Sequence, residues 1–351
     1  MAKLRVGFIG TGDERSPGPL GYGMNHQHAK GYQLLADQVE MVACCDLQGE
    51  RVKRFSDMYG VPNTYSDYHA MLTKEKLDLV SISTWPHTHC QIVLDTIAAG
   101  VKAIHCEKPM AFTWGECKTM VAAAERAKVK LTFNHQRRFG APFRQAKAIL
   151  DSGRIGELQQ IQWGAGDNYD YGSHNWDMAS YLNDHVPVKW VLAQVHYTGK
   201  NLVFDVHNEN QALAMWQYEN GVHGLMATGP GKDFVACHHR IIGSKGEIAI
   251  GPNWGGSVLQ LKTVGEDTWQ DIDCGSEHCH GPGYIERAIA DVVQAILYDT
   301  TSELCGANAL LASEPMFAAW ESARQRSRID LPLTYDGNAL DQMVKDGIFP
   351  V

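Results

Sequence analysis

Chemistry in this sequence centres on Lys108, in a Glu107-Lys108-Pro109 tripeptide that follows a buried-looking β-run, Val101 to Cys106. The chain opens with a similar run, Val6-Gly7-Phe8-Ile9, which leads into Gly10-Thr11-Gly12. Glycines at the tight positions of such a turn let backbone approach a pyrophosphate, and the next helix adds its N–H groups and positive dipole end. A lysine ending a strand downstream of that turn points to chemistry beside a dinucleotide. Asp46 fits the same plan, because it ends Val42-Ala43-Cys44-Cys45-Asp46. A carboxylate there accepts from the adenosine ribose hydroxyls and repels a 2′-phosphate, which favours NAD over NADP. Its plainer reading is a cap on the following helix.

These residues need strands that end together. Between residues 4 and 134, Arg5–Ile9, Val39–Cys45, Leu79–Ser83, Val101–Cys106 and Lys130–Phe133 read as strands separated by helix-length segments. Continuous apolar runs in that alternation predict a doubly wound parallel sheet, an α/β Rossmann domain over 1–134. After a helix expected from Pro142 to Ser152, longer alternating runs appear at Leu158–Trp163, Val191–Tyr197, Gln211–Tyr218, His223–Ala227, His239–Ile242 and Val258–Thr263. They predict an α+β domain over 135–351 with a large, mostly antiparallel sheet. Ile285, Ile289, Val292, Val293, Ile296 and Leu297 recur at helical spacing, which gives a helix expected to cover that sheet. Pro315 is expected to kink or restart the helical stretch 307–325.

The combination resembles the Gfo/Idh/MocA family of NAD(P)-dependent sugar and inositol oxidoreductases. His28-Ala29 is similar to the family's His-Ala in the first helix, and counting back from it puts the usual third glycine at Asn25. The insertion Asp13–Leu20 stretches the loop before that position. Ser83-Thr84-Trp85-Pro86-His87-Thr88-His89 resembles the strand-end turn beside the cofactor, with Thr84 and His89 at the matching positions. Glu107 and Lys108 complete the expected cofactor set with Gly10, Gly12, Asn25 and Asp46.

Asp170-Tyr171-Gly172-Ser173-His174-Asn175-Trp176-Asp177 is similar to the family's D-x-G-x-H-x-x-D signature, which implies that Asp170 and His174 face the nicotinamide. A helix starting in this segment would put both side chains on one side. Oxidising a secondary alcohol requires loss of the hydroxyl proton as hydride leaves the same carbon, so a base with a pKa near neutrality is needed. His174 suits that role. Lys108 can hold the same hydroxyl and stabilise alkoxide charge, and either residue can be the formal base. Asp177 can orient the histidine or a substrate hydroxyl. Only Gly164 to Tyr169 separate the preceding strand from Asp170, where relatives carry a longer covering loop, so a more open site is expected.

The resemblance implies a sugar, glycoside or cyclitol as the polyhydroxylated substrate. Tryptophan gives a platform for a sugar's C–H face, and Trp163 is a candidate. Asn168, Tyr169, Asp177 and Arg138, the last resembling the family's arginine at the domain junction, complete the expected substrate set. A redox-neutral NAD-dependent glycosidase would use the same groups, through oxidation, elimination and hydride return. A cofactor-sensing regulatory protein is a further alternative on this fold.

At 351 residues and 44% hydrophobic content the chain can build two cores, and a net charge of −9 without a long basic run gives no footprint for nucleic acid or an anionic membrane. No stretch approaches the ~20 apolar residues of a membrane span, and none near Leu4 resembles a signal peptide, so a cytoplasmic location is expected. Nine cysteines in no regular pattern read as reduced. Cys274, His278, Cys279 and His280 match none of the usual zinc spacings, Asp205, His207 and Glu209 alternate along one strand in a way that could mimic a metal site, and no metal is expected. Asp205, His207 and Glu209 read instead as one exposed or interface sheet face. The resemblance also implies a homodimer or homotetramer joined through the second-domain sheet.

Overall fold

The computed structural model describes residues 2–13 and 23–349; all of the Asp13–Leu20 insertion except Asp13 lies outside the described residues. The chain forms two compact units, Met1–Gln136 with Ile285–Leu310, and Arg137–Tyr284 with Leu311–Val351.

In the first unit, the short apolar runs become β1 (Leu4–Ile9), β2 (Val39–Cys45), β3 (Asn63–Tyr65), β4 (Leu79–Ile82), β5 (Ala103–Cys106) and β6 (Lys130–Phe133). Between them lie α1 (Met24–Gln33), α2 (Gly49–Tyr59), α3 (Tyr68–Lys74), α4 (Pro86–Ala98) and α5 (Trp114–Ala127). The strands pair in parallel in the order β3-β2-β1-β4-β5-β6, so the order reverses beside β1. Register aligns Ile9 with Cys45 and Ile82, Ile82 with Cys106, and Cys106 with Phe133. Gly10, Asp46, Ser83, Glu107 and Asn134 therefore leave the sheet at one level along its carboxyl edge, where open α/β sheets bind their ligands.

The second unit holds α6 (Ala141–Asp151), β7 (Leu158–Ala165), α7 (Asp170–Leu182), β8 (Val188–His196), the small hairpin β9 (Leu202–Val203) and β10 (Val206–His207), β11 (Gln211–Tyr218) and β12 (His223–Thr228). There follow β13 (Cys237–Gly243), β14 (Gly246–Pro252), β15 (Leu259–Thr263) and β16 (Gln270–Ile272). α8 (Tyr284–Leu297) and α9 (Gly306–Gln325) come next, then β17 (Ile329–Asp330) and α10 (Ala339–Lys345). Nine strands form one sheet in the order β16-β15-β14-β13-β7-β12-β11-β8-β17, antiparallel except for β7 beside β12. Period-two alternation sorts its faces: Val191, Ala193, Ala212, Ala214 and Trp216 are buried, while Leu192, Leu213 and Met215 on the opposite side are exposed. No helix among the described residues is long and apolar enough to cross a membrane.

Three expectations are corrected. The segment 285–310 does not belong to a continuous second domain, because Ile289, Val292 and Val293 are buried within the first unit, where Ile289 lies against Gly31 of α1. An apolar stripe marks a buried face without naming the surface that covers it. Pro315 lies inside α9, so of the two expected outcomes, a kink or a fresh start, the fresh start is excluded. Asp205, His207 and Glu209 do not share a sheet face: Glu209 is fully buried, accepting from Asn168 N, Thr228 Oγ1 and Trp320 Nε1, whereas His207 pairs with the Tyr197 hydroxyl at 2.6 Å.

Candidate active site

At the carboxyl edge of the parallel sheet, Gly10 and Gly12 take φ of +81° and +63°, a region that disfavours any other residue. A Cβ on Gly10 would lie 2.8 Å from Thr84 Cγ2, and one on Gly12 2.9 Å from Gly23 Cα. Asp46 reaches across to this turn: Oδ2 accepts from Thr11 N at 2.9 Å, Gly12 N at 3.0 Å and Thr11 Oγ1 at 3.1 Å. Its Oδ1 accepts from Gln48 N at 2.9 Å, so the acid fixes the glycine turn and the approach to α2 together. Asp13, the first residue of the insertion, lies against Gly23, where a Cβ would fall 2.3 Å from Asp13 O, and its carboxylate pairs with Arg51 at 3.1 Å and with Arg54.

Asn25, at the expected third-glycine position, is fully buried, and its Nδ2 donates to Ile9 O at 3.0 Å and Gly10 O at 2.9 Å. It ties the start of α1 to the end of β1 and to the first residue of the turn, while its buried Oδ1 has no hydrogen-bond partner among the described residues. His89 is likewise interior: Nδ1 lies 3.1 Å from both Pro109 O and Met110 O, and Nε2 lies 3.0 Å from Thr84 O. Burial pushes its pKa down. It joins the Thr84 turn to the residues just beyond Lys108, which is a positioning role. Thr84 itself accepts from Thr88 Oγ1 at 2.8 Å.

Glu107 is buried beneath the same edge. Its Oε1 accepts from His28 Nε2 at 2.9 Å and Asn134 Nδ2 at 2.6 Å, and its Oε2 from Lys108 N at 3.2 Å. Burial alone would push this carboxyl up, but the His28 and Asn134 hydrogen bonds and the Lys108 charge outweigh it and hold the group at about 2. An ionised Glu107 thus fixes the backbone that carries Lys108.

The second unit supplies α7. Asp167 Oδ1 accepts from three successive backbone donors, Tyr169 N at 3.0 Å, Asp170 N at 2.6 Å and Tyr171 N at 3.1 Å, which satisfies the orphan N–H groups of the helix start. α7 therefore begins at Asp170, and the four-residue step puts Asp170 and His174 on one face, both 5% exposed. The structure brings these two together on α7. It brings Gly10, Gly12, Asp46, Thr84, Glu107 and Lys108 together at the sheet edge of the first unit.

The expected substrate residues are mostly committed elsewhere. Arg138 and Asp177 satisfy each other through Nε to Oδ2 at 2.8 Å and Nη2 to Oδ1 at 2.6 Å, a bidentate buried pair. Asn168 is fully buried, donating from Nδ2 to Met316 O at 3.0 Å and accepting from Trp176 Nε1 at 2.9 Å. Tyr169 stacks on Trp320 with centroids 5.6 Å apart, and Trp163 packs edge-on against Trp176 at 5.4 Å. These are core contacts: Arg138, Asp177 and Asn168 spend their polarity on scaffold, whereas the buried Trp163 Nε1 has no hydrogen-bond partner among the described residues.

Sequence reasoning passed over Arg137. It is 3% exposed and donates from Nη1 to Asn175 Oδ1 at 2.6 Å and His238 Nε2 at 2.8 Å, and from Nη2 to His280 Nδ1 at 3.4 Å. Burial pushes the guanidinium down to about 10, so it stays charged at neutral pH. The signals were the Arg137-Arg138 doublet and the His238-His239 pair, but neither names a partner. Among the described residues no group of three or more His, Cys, Asp or Glu side chains could hold a metal ion.

Residues 4–135 match the model of an oxidoreductase family with an NAD-binding Rossmann fold. Among curated proteins, D-apiose dehydrogenase of Paraburkholderia graminis is 37% identical over 135 residues, 38% of this chain and 35% of that protein. Inositol 2-dehydrogenase of Azotobacter vinelandii is 27% identical over 206 residues, 57% of each. The chain thus spans less than two thirds of the length of these relatives. Levoglucosan dehydrogenase, solved with NADH and levoglucosan, superposes with a TM-score of 0.79 at 20% identity, covering 95% of this chain and 100% of that one. The WlbA dehydrogenase of Bordetella pertussis, solved with NADH and UDP-GlcNAcA, gives 0.75 at 21%, with the same coverage. At these identities the likeness is one of fold.

Proposed function

We propose, on the match of residues 4–135 to the model of an oxidoreductase family with an NAD-binding Rossmann fold, that the chain is a member of the Gfo/Idh/MocA family and an NAD-dependent dehydrogenase acting on a secondary hydroxyl of a sugar, glycoside or cyclitol. The observation that carries the reading is the single level at which the glycine turn, Asp46, Thr84 and Lys108 leave the parallel sheet. That edge fits a dinucleotide: the turn between Gly10 and Gly12 has no room for Cβ atoms, and backbone N–H groups open α1 just beyond. NAD bound there supplies the hydride acceptor. His174 takes the proton of the reacting hydroxyl at a ring nitrogen, with Asp170 on the same helix face to orient it. Lys108 would donate from Nζ to a developing alkoxide. The relatives D-apiose dehydrogenase and inositol 2-dehydrogenase are consistent with a polyol substrate.

The test is a panel of sugars, cyclitols and aryl glycosides incubated with excess NAD, following NADH absorbance and aglycone release in parallel. Stoichiometric NADH is expected. Aglycone release at catalytic NAD without NADH would assign the redox-neutral route instead, for which the anchoring of Asp13 by Arg51 and Arg54 beside the cofactor turn is the favouring observation.

NAD is expected to bind more tightly than NADP, because Asp46 opposes a 2′-phosphate. Asp46→Ser should narrow the difference while weakening both cofactors, since it also releases Thr11 N and Gly12 N. Equal affinities for the two cofactors in the unaltered protein, by titration, would remove this argument.

The outward sheet face carries Leu192, Leu213 and Met215, each at least 40% exposed on adjacent strands, with Met215 opposite Leu192 in register. An apolar patch of this kind supports a homodimer or homotetramer joined through the sheet. Met215→Asp is expected to lower the mass measured by light scattering to that of one chain, and an unchanged mass would move the interface elsewhere. The nine free cysteines suit a reducing compartment, in keeping with the cytoplasmic location in this reading.

A further inference from the structure

We propose that Arg137, framed by Asn175, His238 and His280, binds a carboxylate carried by the substrate, so that the alcohol oxidised belongs to an acidic sugar or sugar acid. The substrate class rests on the dehydrogenase reading above; the anion subsite does not.

The two neighbouring arginines make the argument by contrast. Both are buried in the 3-10 turn Gln136–Phe139. Arg138 has a bidentate carboxylate in Asp177. Among the described residues Arg137 has no carboxylate in ion-pair contact, and its partners are an amide oxygen and two imidazoles. The Asp170 carboxylate acts on Arg137 only through space, without an ion-pair contact; a buried charge balanced only in this way is costly, so such a group persists where something supplies the rest of the missing charge.

Donor logic fixes how the cluster is protonated. A guanidinium only donates, so His238 Nε2 and His280 Nδ1 accept, and both rings are neutral. His238 then donates from Nδ1 to His239 Nδ1 at 2.7 Å, and His239 from Nε2 to Asn175 O at 3.3 Å. Burial and the Arg137 charge suppress protonation, pushing His238 well below its ordinary value and His280 down to about 4. The histidines therefore orient Arg137 without neutralising it, and none competes for an anion.

Of the five guanidinium donors, both on Nη1 and one on Nη2 are used. Nε–H and one Nη2–H remain to donate to a carboxylate. His280, an exposed residue, keeps its Nε2–H as a further donor, and Tyr171, 43% exposed, lies with its ring 6.0 Å from the guanidinium carbon. A single cation matches a monoanionic carboxylate better than a phosphate dianion. Tyr171 and Asn175 flank His174 on α7, which places the subsite within a helical turn of the proposed base.

The experiment titrates the protein by calorimetry, with and without NADH, against D-glucuronate, D-galacturonate and D-gluconate. The neutral partners are D-glucose, D-galactose and D-glucitol, and inorganic phosphate is a separate arm. At least one acid should bind about 10²-fold more tightly than its neutral partner. Arg137→Met should erase that preference while leaving the melting temperature unchanged or higher, since it removes a buried charge. His280→Ala, at an exposed position, should weaken the acid by about tenfold. Absence of any preference for the acids, a preference that survives Arg137→Met, or tighter binding of phosphate would overturn the inference. Parallel samples in which NAD replaces NADH are followed for NADH formation. Acids that bind through Arg137 without forming NADH would leave the subsite and remove the dehydrogenase reading; NADH from neutral sugars alone would do the reverse.

Discussion

His174→Ala and Lys108→Ala are each expected to lower turnover by about 10²-fold or more, with NAD affinity and melting temperature largely kept. Each group acts on a proton or a developing charge that exists only as the hydride leaves, so its loss falls on kcat more than on cofactor binding. His174 is held by a helix whose start Asp167 caps, and Lys108 by the backbone that Glu107 fixes, so neither substitution removes the support beneath it. Single-turnover NADH formation, with NAD titrated separately, checks both variants. Near-normal turnover in the His174 variant would shift the base to Lys108, and near-normal turnover in both would leave the proposed chemistry without a proton acceptor.

The largest expected effect on stability comes from Asp177. Its carboxylate and the Arg138 guanidinium are buried to within 2% exposure of their side chains, and Arg138 also contacts His185 Nε2 at 3.1 Å. Asp177→Ala strands the guanidinium in the interior and is expected to cost about 3–5 kcal/mol. Removing both charges, in Arg138→Met with Asp177→Leu, should recover most of that loss, because an apolar pair needs no counter-charge. Urea denaturation of the single and double variants measures the coupling. A single-variant loss under about 1 kcal/mol would mean that Arg138 finds another anion.

The parallel sheet was legible because its strands, buried on both faces, read as continuous apolar runs, and the glycine turn and Asp46 follow from where those runs end. The antiparallel sheet was legible through its alternation, but Gly246–Pro252 was passed over, since Glu247-Ile248-Ala249-Ile250 is short and bounded by glycines. The α8 stripe showed a buried face but not its partner, which depends on tertiary packing against Gly31. The signature on α7 gave Asp170 and His174, and a capping carboxylate at Asp167 confers the helix start that makes their spacing meaningful. Arg138 and Asp177 looked functional as residue types, yet sequence cannot tell that each satisfies the other. By the same blindness Arg137, lacking such a partner, drew no notice. Asn25 marks a further limit: it occupies a glycine's place by spending its amide N–H groups on the carbonyls of Ile9 and Gly10.

The most direct measurement of the central claim follows one atom. The polyol that yields NADH fastest is deuterated at its carbinol carbons and turned over with unlabelled NAD, and the reduced cofactor is examined by NMR. The account predicts one deuterium at nicotinamide C4 for each ketone formed, with turnover slowed by the label. Reduced cofactor without deuterium, or product released with no deuterium ever reaching the nicotinamide, would contradict it.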